Sequence, residues 1–174
     1  MTRTSAGILL YRLAPRGPEV LLAHPGGPFF ARRDQGHWTI PKGEVDDDIE
    51  SLEDVARREF REETGSDVPA GGALFGLGSI VQKGGKTVFA WAVEGDLDPA
   101  TAESLPFDME WPPGSGTTQK FPEIDRVEWF DPAAARERIK PSQIPFVDRL
   151  EAALAEIGFE RARLAGDGSE PGTT

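Results

Sequence analysis

Short apolar blocks separated by Gly- and Pro-rich breaks set the rhythm of this chain. Strand signals fall at about 4–13, 18–24, 37–40, 72–81 and 86–93, with another at about 126–130. A different period takes over at 50–64. There Leu52, Val55, Ala56 and Phe60 recur at three- and four-residue intervals and share one stripe of a helix. Ser51-Leu52-Glu53-Asp54 supplies a capped start and Gly65 a C-cap. Ala133 to Arg138, set off by Pro132 and Pro141, predicts a short helix. Residues 142–164 predict the longest one, with Phe146, Leu150, Ala153, Leu154 and Ile157 on a stripe suited to packing on a sheet. Strands and helices mixed in this order predict an α/β sandwich, with helices on both sides of a mixed central β-sheet. Between Val93 and Val127 the periodicity fails over more than thirty residues, the pattern of a lid or a disordered loop. The expected division is one domain over 1–165 and a flexible C-terminal tail over 166–174.

The helix at 50–64 carries the chemistry. Glu59, Glu62 and Glu63 stand at i, i+3 and i+4, neighbouring positions of one face. Glu59 and Glu63 continue the apolar stripe, and Glu62 lies at its edge beside Arg58, so a face that begins apolar ends acidic. Two readings stay open on the residues alone. One is a solvated acidic helix end; the other is a site for a hard divalent cation, which prefers carboxylate oxygens. Against the first, negative charge is disfavoured at a helix C-terminus. Moreover, Glu50, Asp54, Arg57 and Arg61 already furnish a solvent face. Just upstream, Trp38-Thr39-Ile40-Pro41-Lys42-Gly43-Glu44 brings a basic residue and a flexible glycine close to the acidic end.

With these residues in place, the chain resembles the Nudix hydrolases. Their box reads Gly, five residues, Glu, seven residues, Arg-Glu, an aliphatic, any residue, Glu-Glu, any residue, Gly, an aliphatic. Here Glu50, seven residues and Arg58-Glu59-Phe60-Arg61-Glu62-Glu63-Thr64-Gly65 follow its second half. Gly43 stands six residues before Glu50, so Asp46-Asp47-Asp48-Ile49 carries one extra residue, and Ser66 replaces the final aliphatic. The likeness extends to Ser5–Tyr11, Glu19–His24 and Pro122–Phe130. It implies a Nudix-type α/β/α sandwich and a metal-dependent hydrolase that cleaves a phosphoanhydride in a nucleoside diphosphate linked to another group. It implies Mg²⁺ or Mn²⁺ on Glu59, Glu62 and Glu63, with Arg58 orienting the cluster and Glu62 activating water. A late carboxylate, Glu123 by position with Glu110 as an outside candidate, would assist at the metals or act as base. The run Trp38–Gly43 is similar to that of members acting on dinucleoside polyphosphates; nucleoside triphosphates and diphosphate sugars stay open.

Substrate contacts are expected from Lys42 and Gly43, beside the box, and from Trp111, whose ring would either stack on a nucleobase or anchor its own loop. Lys83, Lys86, Lys120, Arg32 and Arg33 are further basic candidates. His24 and His37 lack metal-ligand spacing to each other, and His37 reads as a structural strand-entry residue. Thirty acidic against nineteen basic residues give a net charge of −11, which argues against nucleic-acid backbones as partners. It also demands local reversal of the field wherever phosphate binds. No apolar run approaches the roughly 18 residues of a membrane span. Met1-Thr2-Arg3-Thr4 does not resemble a signal peptide, and cysteine is absent, so a cytoplasmic monomer or homodimer is expected. Two alternatives belong to other classes: a non-catalytic Nudix-like nucleotide-binding regulatory domain, and a calcium module on Asp46, Asp48 and Glu50. The last lacks the glycine and distal glutamate of an EF-hand loop.

Overall fold

The computed structural model describes residues 3–46, 49–70 and 72–166. Strands β1 (Thr4–Ala14), β2 (Gly17–Pro25), β3 (Lys42–Glu44), β4 (Phe75–Val81), β5 (Thr87–Glu94) and β8 (Ile124–Phe130) form one sheet. A second, two-stranded sheet is made of β6 (Pro106–Glu110) and β7 (Thr118–Pro122). Helices are α1 (Leu52–Thr64), α2 (Pro132–Arg138) and α3 (Ile144–Gly166). The large sheet runs β4-β5-β1-β2-β8, with β3 pairing β1. β1 is parallel to β5 and antiparallel to β2 and β3, so the sheet is mixed.

β1 lies at its centre and is buried on both faces, hence its unbroken apolar run rather than an alternation. Ile8 and Leu10 point to a core shared with Val55, Ala56 and Phe60 of α1. Leu9 and Tyr11 point the other way, to a core shared with Phe146, Val147 and Leu150 of α3. Helices therefore cover both faces, as the order of elements predicts.

Local chemistry sets α1 as expected. The Ser51 side chain accepts the Asp54 N–H at 3.1 Å, and Gly65, at φ 76°, closes the helix with its N–H on the Arg61 carbonyl at 2.8 Å.

Three expectations need correction. Residues 37–40 are not a strand: Thr39 bridges Ala23 and Trp38 bridges Ile139, two different partners, so no continuous ladder forms. Of the 93–127 segment, the part expected to lack structure, β6 and β7 make a hairpin. Its side chains are at most half-buried, and its one alternation, Phe107 and Met109 between exposed neighbours, spans only the five residues of β6. Third, α3 packs through Phe146, Leu150 and, in part, Leu154, but Ile157 is 39% exposed and lies beyond the packed stretch. Residues 167–174 of the expected tail and Asp47 and Asp48 of the box loop lie outside the described residues.

The turn before β3 is pinned by a fully buried glutamine. Gln143 Oε1 accepts the Ile40 N–H at 3.0 Å, and its Nε2 donates to Thr39 Oγ1 at 2.9 Å. Gln143→Ala leaves the Ile40 N–H buried without that acceptor. An expected loss of about 1–3 kcal/mol in unfolding free energy follows. Urea denaturation checks it through a lowered midpoint at constant slope.

Candidate active site

α1 turns its acidic end inward because Glu59 and Glu63 continue the stripe of Val55, Ala56 and Phe60; they are 8% and 9% exposed. Glu62, one step around the helix, keeps 32% of its side chain in solvent. Arg58 ties the cluster together. Its Nη1 donates to Glu59 Oε1 at 3.1 Å and to Glu62 Oε1 at 3.3 Å, while its Nε and Nη2 reach Glu50 Oε2, each at 3.2 Å. Despite the extra residue before it, Glu50 thus joins the same network. Glu63 faces β3, where its Oε2 accepts the Lys42 backbone N–H at 3.0 Å.

Gly43 makes that approach possible. A Cβ at position 43 would lie 1.9 Å from Cδ and 2.0 Å from Oε2 of Glu59, so only glycine lets β3 pass the carboxylate where it stands.

These groups share one cleft of about 500 Å³. Lys42, Gly43, Glu44 and Lys86 line it together with Arg58, Glu59, Glu62, Glu63 and Glu123. Burial raises the Glu63 carboxyl to about 8, reinforced by Glu59 and Glu123 and partly offset by Lys42. Glu59 is raised by burial and by Glu62, with Arg58 pulling the other way. Glu123, at the rim, is raised by desolvation and by Glu62. Burial would pull the Arg58 guanidinium down, but Glu50, Glu59 and Glu62 outweigh it and hold the pKa above its usual value. In the same cleft, burial lowers the Lys42 ammonium to about 8, with Lys86 and Lys140 adding repulsion. The cleft thus gathers crowded carboxylates and two lysines, Lys42 and Lys86, in one place.

Lys42, Gly43, Arg58, Glu59, Glu62, Glu63 and Glu123 are brought together; Trp111 is not. Its ring packs edge-on against Phe29, centroids 5.4 Å apart, and is not among the cleft's lining. Glu110 accepts the Gly116 N–H within the hairpin, and Lys120 pairs with Asp108 there at 3.1 Å. His24 is buried between Asp125 and the Arg33 carbonyl. Of the basic candidates outside the box, only Lys86 lines the cleft, held by Glu44 at 2.9 Å.

Glu44 also lines the cleft. It follows Gly43 in the run Trp38–Glu44, but its meeting with Lys86 comes from sheet register: Ser5 pairs with Glu44 on one side and Val88 on the other.

Among the described residues, no three His, Cys, Asp or Glu side chains converge tightly enough to hold an ion by themselves. The donor set nevertheless fits a hard divalent cation. It is all carboxylate oxygen, and Glu59, Glu63 and Glu123 each have their charged form disfavoured as they stand. A site completed in part by substrate phosphates also needs fewer protein ligands than a dedicated cage.

The acidic end of α1, Lys42 of β3 and Lys86, the residue before β5, thus share a cleft on a mixed sheet covered by helices. The family model of the NUDIX domain matches residues 1–150, and the chain belongs to the Nudix family. It is a pyrophosphohydrolase, an enzyme acting on acid anhydrides. No curated protein matches the sequence.

Among solved structures, an Ap4A hydrolase binary complex from C. elegans is 21% identical, with a TM-score of 0.60 over 89% of this chain and 99% of that one. A mutT/nudix family protein from Listeria innocua is 17% identical, with a TM-score of 0.59 over 90% and 96%. The NUDIX domain of Shewanella oneidensis NrtR, complexed with ADP ribose, is 14% identical, with a TM-score of 0.56 over 88% and 89%. At these identities the likeness is one of fold.

Proposed function

We propose that the chain is a Mg²⁺- or Mn²⁺-dependent hydrolase of a nucleoside diphosphate linked to another group, with its phosphates seated between the acidic end of α1 and the wall of Lys42 and Lys86. The observation that carries this reading is that juxtaposition within one cleft of about 500 Å³. Phosphates need positive charge in a protein of net charge −11, and the two lysines supply it on one side. Glu59, Glu62 and Glu63, with Glu123 facing them, would hold the metal. Bound there, Mg²⁺ or Mn²⁺ supplies neutralisation of phosphate oxygens and a more acidic water.

The chain's own groups do the rest. Arg58 fixes the carboxylates of Glu59 and Glu62 through one nitrogen, so neither swings freely. Glu62, the most solvent-accessible of the three, is placed to orient an attacking water and take its proton. Catalysis then rests on positioning and charge placement, as for phosphoryl transfer in general. Dinucleoside polyphosphates are the first substrates to try, because the run Trp38–Gly43 resembles members that use them. The C. elegans relative is likewise named an Ap4A hydrolase. A cytoplasmic setting and a monomer or homodimer complete the proposal; among the described residues no helix is long and apolar enough to cross a membrane.

The test is product release from nucleoside triphosphates, dinucleoside polyphosphates, nucleotide sugars and dinucleotide cofactors, with Mg²⁺, with Mn²⁺ and with EDTA. One class is expected to turn over with metal and to fall to background with chelator. Turnover that persists in EDTA would remove the metal from the reading. Silence throughout, with a nucleotide still bound, would remove these substrate classes from the reading.

A further inference from the structure

Glu123 is the one cleft glutamate that belongs to neither α1 nor β3. It sits where the β6–β7 hairpin returns to the sheet, and the residues around it are tied down in turn. The Glu123 N–H donates to the Leu105 carbonyl at 3.1 Å, and its own carbonyl accepts the Gly26 N–H at 2.8 Å. The Ile124 N–H donates to Ser104 Oγ at 2.9 Å. His24 Nδ1 and the Asp125 carboxylate lie 2.8 Å apart.

The same strap reaches α1. The Leu105 N–H donates to the Glu62 carbonyl and the Glu103 N–H to the Thr64 carbonyl, both at 2.9 Å. These are two of the four last-turn carbonyls that a helix leaves without an internal donor. One residue, Leu105, therefore links the backbones of Glu62 and Glu123 through its N–H and its carbonyl. On the far side the fit is closed: a Cβ on Gly26 would stand 1.9 Å from the Pro122 carbonyl oxygen, a backbone atom with no rotamer to escape through. The β2–β8 register also shifts at His24/Pro25, where a bulge re-aims the segment.

We propose that Gly26 and the strap Glu103–Leu105 are positioning elements that set the Glu123 carboxylate at its height against Glu59, Glu62 and Glu63. They act through the backbone, without touching substrate. The proposal rests on the role given to Glu123 in the hydrolase reading.

A double-mutant cycle tests it, run with Mg²⁺ on diadenosine tetraphosphate or the fastest substrate of the nucleotide panel. Gly26→Ala is expected to lower kcat by about 10²-fold, the scale of a 1 Å misplacement, with KM little changed. Ser104→Ala, a milder change that removes one acceptor, is expected to lower kcat less, and Ser104→Thr, which keeps the hydroxyl, to restore it. In a Glu123→Gln background, itself impaired, Gly26→Ala and Ser104→Ala should cost nothing further. Hydrogen exchange, which needs no turnover, should show the Ile124 amide opening faster in Ser104→Ala while α1 stays protected.

Should Gly26→Ala fail to fold, the Ser104 pair decides alone. Losses that add in full to that of Glu123→Gln, or an Ile124 amide that exchanges no faster, overturn the positioning role and leave the hydrolase reading intact. A Glu123→Gln variant as active as the parent overturns the role of Glu123 together with its positioning.

Discussion

Glu62→Gln is expected to lower kcat by about 10²–10⁴-fold, the range associated with losing a positioned acid or base. Glutamine keeps the length of the side chain and an oxygen for Arg58, which now reaches Glu62 Oε1 at 3.3 Å. What it removes is the negative charge, and with it the ability to take a proton or bind a hard cation. Because 32% of this side chain is solvent-accessible, the fold should hardly notice the change. The expected signature is a collapsed kcat with a melting temperature and a nucleotide Kd close to those of the parent. Steady-state kinetics alongside calorimetric titration read both quantities. A kcat within a fewfold of the parent would move the proton-accepting role to another carboxylate, with Glu123 next in line.

The second large effect is expected from the smallest change, Gly43→Ala. The added methyl would fall 1.9 Å from Cδ of Glu59, so the carboxylate has to leave its place. That carboxylate is the far end of a flexible side chain, and moving it costs the fold little. Its new position, however, abandons the Arg58 Nη1 contact at 3.1 Å and the alignment with Glu62. A misplacement of about 1 Å in a catalytic constellation is worth about 10²-fold in rate. Gly43→Ala should therefore be nearly as stable as the parent and about 10²-fold slower, measured as kcat/KM against a thermal melt. A large loss of stability with unimpaired turnover in the folded fraction would show that β3, rather than Glu59, yields to the methyl.

These two sites differ in how they could be found. Glu62 was legible because helix signals are local. The Ser51 cap, the three- and four-residue spacing of Val55, Ala56 and Phe60, and Gly65 fix which residues share a face, and the glutamates ride on that face. Gly43 was legible as a neighbour of the box, but its steric reason was not, since that depends on how closely β3 passes α1. The rest of the cleft is written in sheet register. Lys86 meets Glu44 because the two flank β1, and nothing near Lys86 in the chain announces it. The β6–β7 hairpin escaped for the opposite reason. With no side chain fully buried, its one alternation, Phe107 and Met109 of β6, is too short to stand out, and its aromatic pair Phe107–Phe121 lies too far apart in sequence to be read as one feature. Trp111, read as either stacking on a nucleobase or anchoring its own loop, packs edge-on against Phe29, as the second of these expects, a contact decided by where the hairpin folds back.

The parallel pairing of β1 with β5 has a consequence for how the enzyme comes into being. Thr4 aligns with Thr87 and Tyr11 with Glu94, so the central ladder closes only after more than half of the chain has been made. Such long-range closure is slow compared with helix formation, which needs only neighbours. During synthesis or refolding, α1 can therefore acquire its three glutamates in register well before Lys86 arrives to face them. Activity should appear as one of the last events of folding, and a chain that has regained its helix signal is still some way from being an enzyme.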